Sequence, residues 1–204
     1  MTAKTLFRAA ASAALAVALT GCISLFPKQD PAQMYRLGAA APAAAGAVAH
    51  EGEVLRGPIT FERAAAGDRI LTVNGTEAAY IAASRWVTPA QAMFQESMER
   101  AFAGTAGAPR LSSIGQGVAA NALLAVDVEA FEARYEQGME AAPTVVVRVR
   151  ARLSGVRERR LLGEQVFEVR RPAAENRVSA IVAAFDAATA EALGGLVAWT
   201  AQAV

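Results

Sequence analysis

The sequence predicts an α+β fold: a mainly antiparallel sheet with two helices packed on one face, in the order strands, helix, strands, helix. Three observations carry that expectation. Residues 123–135 and 144–153 alternate apolar and polar side chains, as a sheet with one buried and one wet face requires. Segments 88–104 and 175–204 instead repeat their apolar residues at helical spacing. Helices placed between and after strand runs can cover the apolar face of such a sheet.

Taken in order, "MYRLG" (34–38) reads as a first strand, and the Ala/Gly/Pro-rich stretch 39–52, which has no period, as a surface loop. "EVLRGPITFERA" (53–64) reads as a strand interrupted at Gly57-Pro58. "DRILTVNGTEAAYIAASRWV" (68–87) is two strands about Asn74-Gly75, a strong hairpin signal, with Thr76 and Glu77 also turn-like. The helix at 88–104 has Thr88 in N-cap position, Pro89 at the first turn and Gln91 completing a capping box; Phe94, Met98, Ala101 and Phe102 form its stripe and Gly104 its end. "GTAGAPRLSSIGQG" (104–117) reads as a connecting loop.

In 123–135, Leu124, Val126, Val128 and Ala130 share one face, with Asp127 and Glu129 on the other. In 144–153, Val147, Val149, Ala151 and Leu153 oppose Arg148, Arg150 and Arg152; Ser154-Gly155 signals a turn, and 156–171 returns as the partner strand. Val178, Ile181, Val182, Phe185, Ala188, Ala192, Leu196 and Trp199 mark the last helix, which Gly194-Gly195 is expected to bend or split.

The amino-terminal segment has a different logic. Lys4 and Arg8 precede an apolar run, Ala9–Leu19, of signal-peptide length, and no acidic residue occurs before Asp30. The run is shorter than the roughly 20 residues of a membrane span. Leu19-Thr20-Gly21-Cys22 resembles the bacterial lipobox, which implies cleavage before Cys22 and acylation of this single cysteine. Two or more acyl chains hold a protein stably to a bilayer. The expected organisation is therefore a lipoprotein signal peptide at 1–21, a lipidated cysteine and tether with Pro27 and Pro31 at 22–33, and one periplasmic domain at 34–204. Ile23 and Ser24, with no aspartate after Cys22, favour the outer membrane by the same resemblance.

Composition narrows the function. The formal charge of +1 becomes −1 once Lys4 and Arg8 are lost, so nothing calls for nucleic acid. The mean hydropathy of +0.26 owes much to alanine and the leader, and no second run approaches a membrane span. One cysteine and one histidine, His50, make no zinc site, Cys/His pair or Ser-His-Asp triad. Neither a Walker-type loop nor a dinucleotide fingerprint is present. The expectation is no catalytic residue, no metal and no cofactor.

Two polar features have alternative readings. Arg148, Arg150 and Arg152, with Arg157, Arg159 and Arg160, would make a basic stripe toward anionic headgroups or an acidic partner. Asp127, Glu129, Glu164 and Glu168 on neighbouring strands are expected to neutralise it, and that reading is preferred. Arg85-Trp86 before the helix is either corner packing, the preferred reading, or an exposed aromatic contact for a partner.

In order, the lipobox leader, the Tyr-x-Leu strand "MYRLG", "YIAASRWVTPAQAMFQESMERAF", "VDVEAFEARY" and a long closing helix resemble the ABC-type transport auxiliary lipoprotein family, PqiC-like and associated with MCE-domain systems. Tyr35 and Trp86 match its pattern best and, with Arg85, are the candidate partner-binding residues. The resemblance implies a non-catalytic accessory that works with an MCE-domain protein and an ABC permease and ATPase on lipids or other hydrophobic cargo. It also implies self-association. The rival functions are a lipid- or small-molecule-binding carrier lipoprotein and an outer-membrane assembly lipoprotein.

Overall fold

The computed structural model describes residues 31–38, 49–116 and 119–204. The expected leader, Cys22, the tether to Asp30 and loop residues 39–48 lie outside the described residues. The described elements belong to one compact unit, Ala32–Val204. Their order is β1 (Gln33–Tyr35), β2 (Glu53–Phe61), β3 (Arg69–Asn74), β4 (Glu77–Trp86), α1 (Ala90–Gly104), β5 (Arg110–Ser113), β6 (Ala122–Arg134), β7 (Thr144–Gly155), β8 (Leu161–Pro172) and α2 (Val178–Ala203).

β6 is the spine of a forked, eight-stranded sheet. Along one edge it pairs antiparallel with β7, from Ala122 opposite Gly155 to Arg134 opposite Thr144, and β7 pairs in turn with β8. Its other edge is shared. β2 runs parallel to Ala122–Val128, and β3 runs parallel to Ala133 and Arg134. β5 extends the β2 branch, while β4 and then β1 extend the β3 branch.

Four of the seven pairings are parallel, so the sheet is mixed, and the expected mainly antiparallel sheet is corrected. Hairpin neighbours such as β3–β4 and β7–β8 have turn signals in sequence. The parallel pairs join segments far apart in the chain, for which no local signal exists. β5 is a second correction: Arg110–Ser113 lies in the segment read as a loop, four residues being too few to show a period.

Glycine and proline work where a close approach demands them. A Cβ on Gly57 would lie 2.8 Å from the Leu124 carbonyl oxygen, and the β2–β6 register shifts between Arg56 and Ile59. Pro58, which cannot donate to a ladder, sits in this irregularity. In the β3–β4 hairpin Asn74 pairs with Glu77, and Gly75 supplies the left-handed φ of 58°.

α1 does not form the expected capping box. Pro89 takes the N-cap position with no side-chain cap. The amides of Ala90 and Gln91 donate instead to the carbonyls of Gly67 (2.9 Å) and Ala66 (3.3 Å), and the Gln91 side chain donates to the Ile59 carbonyl (3.1 Å). Two orphan donors of the first turn are thus satisfied by the connection between β2 and β3.

α2 is one helix of 26 residues, unbroken at Gly194-Gly195. Gly194 faces open space, whereas a Cβ on Gly195 would lie 3.0 Å from Phe167 Cδ1. The second glycine therefore permits close packing on β8. By length and hydropathy (1.5) this helix also passes for a membrane span, contrary to the sequence expectation, yet 56% of its most apolar window is buried against the body.

Both helices cover the apolar face of the sheet. Phe94 of α1, Phe61 of β2, Phe131 of β6 and Phe185 of α2 form a ring-to-ring chain with centroid separations of 5.9, 5.5 and 4.7 Å. Val126, Val128, Val147, Val149, Ala151 and Leu153 complete the buried sheet surface.

Candidate functional site

The three candidate partner-binding residues meet at the edge of the sheet. β1 pairs parallel with the end of β4, placing Tyr35 opposite Trp86 and Met34 opposite Arg85. The Val87 amide donates to the Tyr35 carbonyl (2.8 Å), and the Trp86 amide donates to the Asp68 carbonyl (2.7 Å). Alternation along β4 sends adjacent side chains to opposite faces.

Trp86 points inward and is 1% exposed. Its indole meets Phe185 edge-on at 5.5 Å and Phe131 at 6.1 Å. It is a packing residue that fixes the corner. Tyr35 is half-buried against the same core. Arg85 faces solvent and donates to Asp68 at 2.8 Å, and this hydrogen bond holds the Asp68 carboxyl below its usual range. Met34 and Val87 beside it are exposed. The exposed part of this corner is therefore Met34, Arg85 and Val87, set out by the buried Trp86 and the half-buried Tyr35.

The backbone here is irregular. The β3–β4 register shifts between Arg69 and Leu71, and Ala83 takes φ 49° within the extra residues of β4. A left-handed non-glycine residue persists only where its surroundings impose it. Here β1 and β3 flank the displaced segment, so the irregularity aims Ser84, Arg85 and Trp86.

Just after β1, Leu37 is buried and the Gly38 amide donates to Asp186 Oδ1 of α2 at 2.6 Å. A Cβ on Gly38 would lie 2.5 Å from Arg100 Nη2 of α1, and its φ is 73°. Both features favour glycine there. Sequence reasoning missed this clamp because Asp186 and Arg100 are remote in sequence and have ordinary surface character.

On the opposite sheet face, each arginine of β7 lies among carboxylates. The Glu129 carboxylate accepts from Arg148 Nε at 2.8 Å and Arg150 Nε at 2.5 Å. Arg148 also pairs with Glu168, Arg150 with Glu164 at 2.6 Å, and Arg152 with Asp127 at 2.6 Å. Glu129 sits at the β6 bulge between Val128 and Ala130, where the register with β7 shifts. Hydrogen bonds from Arg150 and then Arg148 hold its carboxyl below the ordinary value, and the same bonds raise both arginines. This ladder is neutralised, as the preferred reading expects.

Arg157, Arg159 and Arg160 are not part of that ladder. They lie in the loop between β7 and β8, which occupies residues expected to begin the returning strand. Cys22 lies outside the described residues. Among the described residues, no three His, Cys, Asp or Glu side chains gather in a metal-binding group.

A family model described as "ABC-type transport auxiliary lipoprotein component" matches residues 35–194, from Tyr35 of β1 into α2. No curated protein matches the sequence. Among solved structures, protein XCC0632 from Xanthomonas campestris is similar with a TM-score of 0.68 and 24% identity, covering 84% of this chain and 96% of that one. An uncharacterized protein gives 0.63 at 13% identity, covering 83% of this chain and 99% of that one. The hypothetical protein CT253 from Chlamydia trachomatis gives 0.51 at 12% identity, with coverages of 75% and 97%. At these identities the likeness is one of fold.

Proposed function

Starting from the premise that this chain belongs to the family of ABC-type transport auxiliary lipoprotein components, we propose that it is a non-catalytic adaptor of an envelope transport system for lipids or other hydrophobic molecules. In this reading Cys22, acylated after removal of residues 1–21, holds the protein to the outer membrane, and residues 22–33 are the tether. The body at 34–204 faces the periplasm and docks on an MCE-domain protein served by an ABC permease and ATPase. Self-association of the body belongs to the same reading.

The observation that carries the proposal is the mounting of the chain where it enters the body. β1 is hydrogen-bonded into the sheet at Tyr35, Leu37 is buried, and Gly38 is held by Asp186. A load arriving through the tether would pass to the sheet and α2 rather than to a loose terminus. The exposed Met34, Arg85 and Val87 at that mount are the proposed partner contact, with Tyr35 and Trp86 positioning them. Internal carriage of a cargo is less well supported, because Trp86, Phe61, Phe94, Phe131 and Phe185 fill the space where sheet and helices meet.

The test is affinity purification of the lipidated full chain from gently solubilised envelopes. Co-purification of an MCE-domain subunit with the permease and ATPase is expected, and its reduction by Arg85→Glu would support the contact surface. Recovery of the protein without any of the three overturns the adaptor reading. Separately, Cys22→Ser is expected to release the protein from the membrane fraction; normal maturation and retention would remove the anchor from the proposal.

A further inference from the structure

The loop joining β7 and β8, with the first residues of β8, carries cations and apolar side chains that the body does not use. Val156, Leu161 and Leu162 are 37%, 54% and 42% exposed. Arg157 and Arg159 have no ion-pair partner among the described residues, and Arg160 reaches only Glu158, at 3.9 Å with both side chains more than 70% exposed. This contrasts with Arg148, Arg150 and Arg152 on the neighbouring strand, all of which are paired. Arg159 also holds φ 55°, where glycine or asparagine would be easier, so a cation stands where loop geometry favours something else.

The end of α2 comes to the same place. Trp199 Cζ2 would lie 3.2 Å from a Cβ on Gly163, and the half-buried indole stacks edge-on against Phe167. One tip thus combines unpaired arginines, exposed branched aliphatics and a partly exposed tryptophan. It lies at the Ala122 end of β6, whereas β3, which leads to β1, pairs at the Ala133 end.

We propose that the β7–β8 tip, with Arg157, Arg159 and Arg160 beside Val156, Leu161 and Leu162, is a docking site for the surface of an anionic lipid bilayer. The arginines match anionic headgroups, and the aliphatic side chains enter the boundary between headgroups and acyl chains. The aliphatic side chains decide between this occupant and an acidic protein: an interfacial segment uses cations and apolar side chains together, as Arg157 and Arg159 beside Leu161 and Leu162 supply. The proposal stands apart from the adaptor reading and does not use Cys22.

The described elements and their core are contained in Ala32–Val204, a compact unit in itself, so the anchor-free body 32–204 is a suitable test molecule. Flotation with vesicles of phosphatidylcholine alone, or of phosphatidylcholine with phosphatidylglycerol, measures its partitioning. The body is expected to float with the anionic vesicles only, and less so as salt rises. R157Q/R159Q/R160Q is expected to lower that partitioning by about a hundredfold. L161S/L162S should weaken binding at every salt concentration, and both variants should keep the wild-type melting temperature. Failure of the wild-type body to float with anionic vesicles, equal flotation with neutral ones, or unchanged partitioning of the arginine variant would each overturn the proposal. None of these results bears on co-purification by the lipidated chain.

Discussion

Replacing each glycine of the 194–195 pair with alanine separates a helix that is continuous by packing from one that bends at its glycines. Alanine in a helix interior is favoured over glycine by about 0.8–1 kcal/mol. Gly194 faces open space, so Gly194→Ala should collect the whole of that gain. For a body of this size it corresponds to a rise in Tm of about 2–4 °C. Gly195→Ala receives the same propensity gain but places a methyl group 3.0 Å from Phe167 Cδ1 and 3.3 Å from Cε1. Ordinary carbon contacts are about 3.5–4.0 Å. The ring has little room to withdraw, because Trp199 stands edge-on to it at 6.3 Å and itself lies against Gly163. Overpacking of this kind costs about 1–3 kcal/mol, so Gly195→Ala should be neutral to destabilising by about 2 kcal/mol. Urea unfolding of both variants, repeated in a Phe167→Ala background, makes the comparison. In that background the penalty at 195 should vanish. Equal stabilisation by the two alanines, or a penalty at 195 that survives loss of the ring, would refute the packing argument; destabilisation by Gly194→Ala would show that the helix bends there.

Three further outcomes are expected. Gly57→Ala should destabilise the body by about 1–3 kcal/mol in denaturant titration, since its Cβ would meet the Leu124 carbonyl oxygen at 2.8 Å; a neutral result would mean that β2 and β6 are farther apart. Trp86→Ala should cost about 3–5 kcal/mol, measured the same way, and Trp86→Phe much less, because the indole is packed between Phe131 and Phe185; a loss under about 1 kcal/mol would place the ring outside the core. Glu129→Gln tests the arginine ladder through pH. The folded carboxyl lies below its ordinary 4.5, so its contribution is present above that value and is lost as pH falls through the folded one. The stability gap between wild type and Glu129→Gln should therefore be widest near neutral pH, at about 1 kcal/mol for a partly exposed pair, and should close as pH falls through the lowered folded value; a gap that widens in acid would contradict the assignment.

Much of this molecule was legible locally. Alternation in 123–135 and 144–153 marked β6 and β7 and identified their buried faces, because a period of two reports which side of a strand is dry. The same alternation put Arg148, Arg150 and Arg152 within reach of Asp127, Glu129, Glu164 and Glu168. Asn74-Gly75 marked its hairpin because turn geometry is a property of a few adjacent residues. The residue pattern from Tyr35 through Trp86 to the closing helix was enough to identify the family.

Tertiary structure decided whatever depends on a distant neighbour. Nothing in β2, β3 or β5 says that they pair parallel with β6 or with one another, since backbone edges are chemically alike and register follows from which face must be buried. Gln91 abandoned its capping box because the carbonyls of Ala66 and Gly67 already met the helix amides. Gly195 is a contact point only because Phe167 arrives from β8, and Trp86 is buried only because Phe131 and Phe185 close over it. Arg157, Arg159 and Arg160 resemble the paired arginines in sequence and differ from them in one respect: the hairpin turns before any carboxylate strand can reach them. Local periodicity records the burial that a segment needs, and the partner that satisfies it is chosen by the rest of the chain.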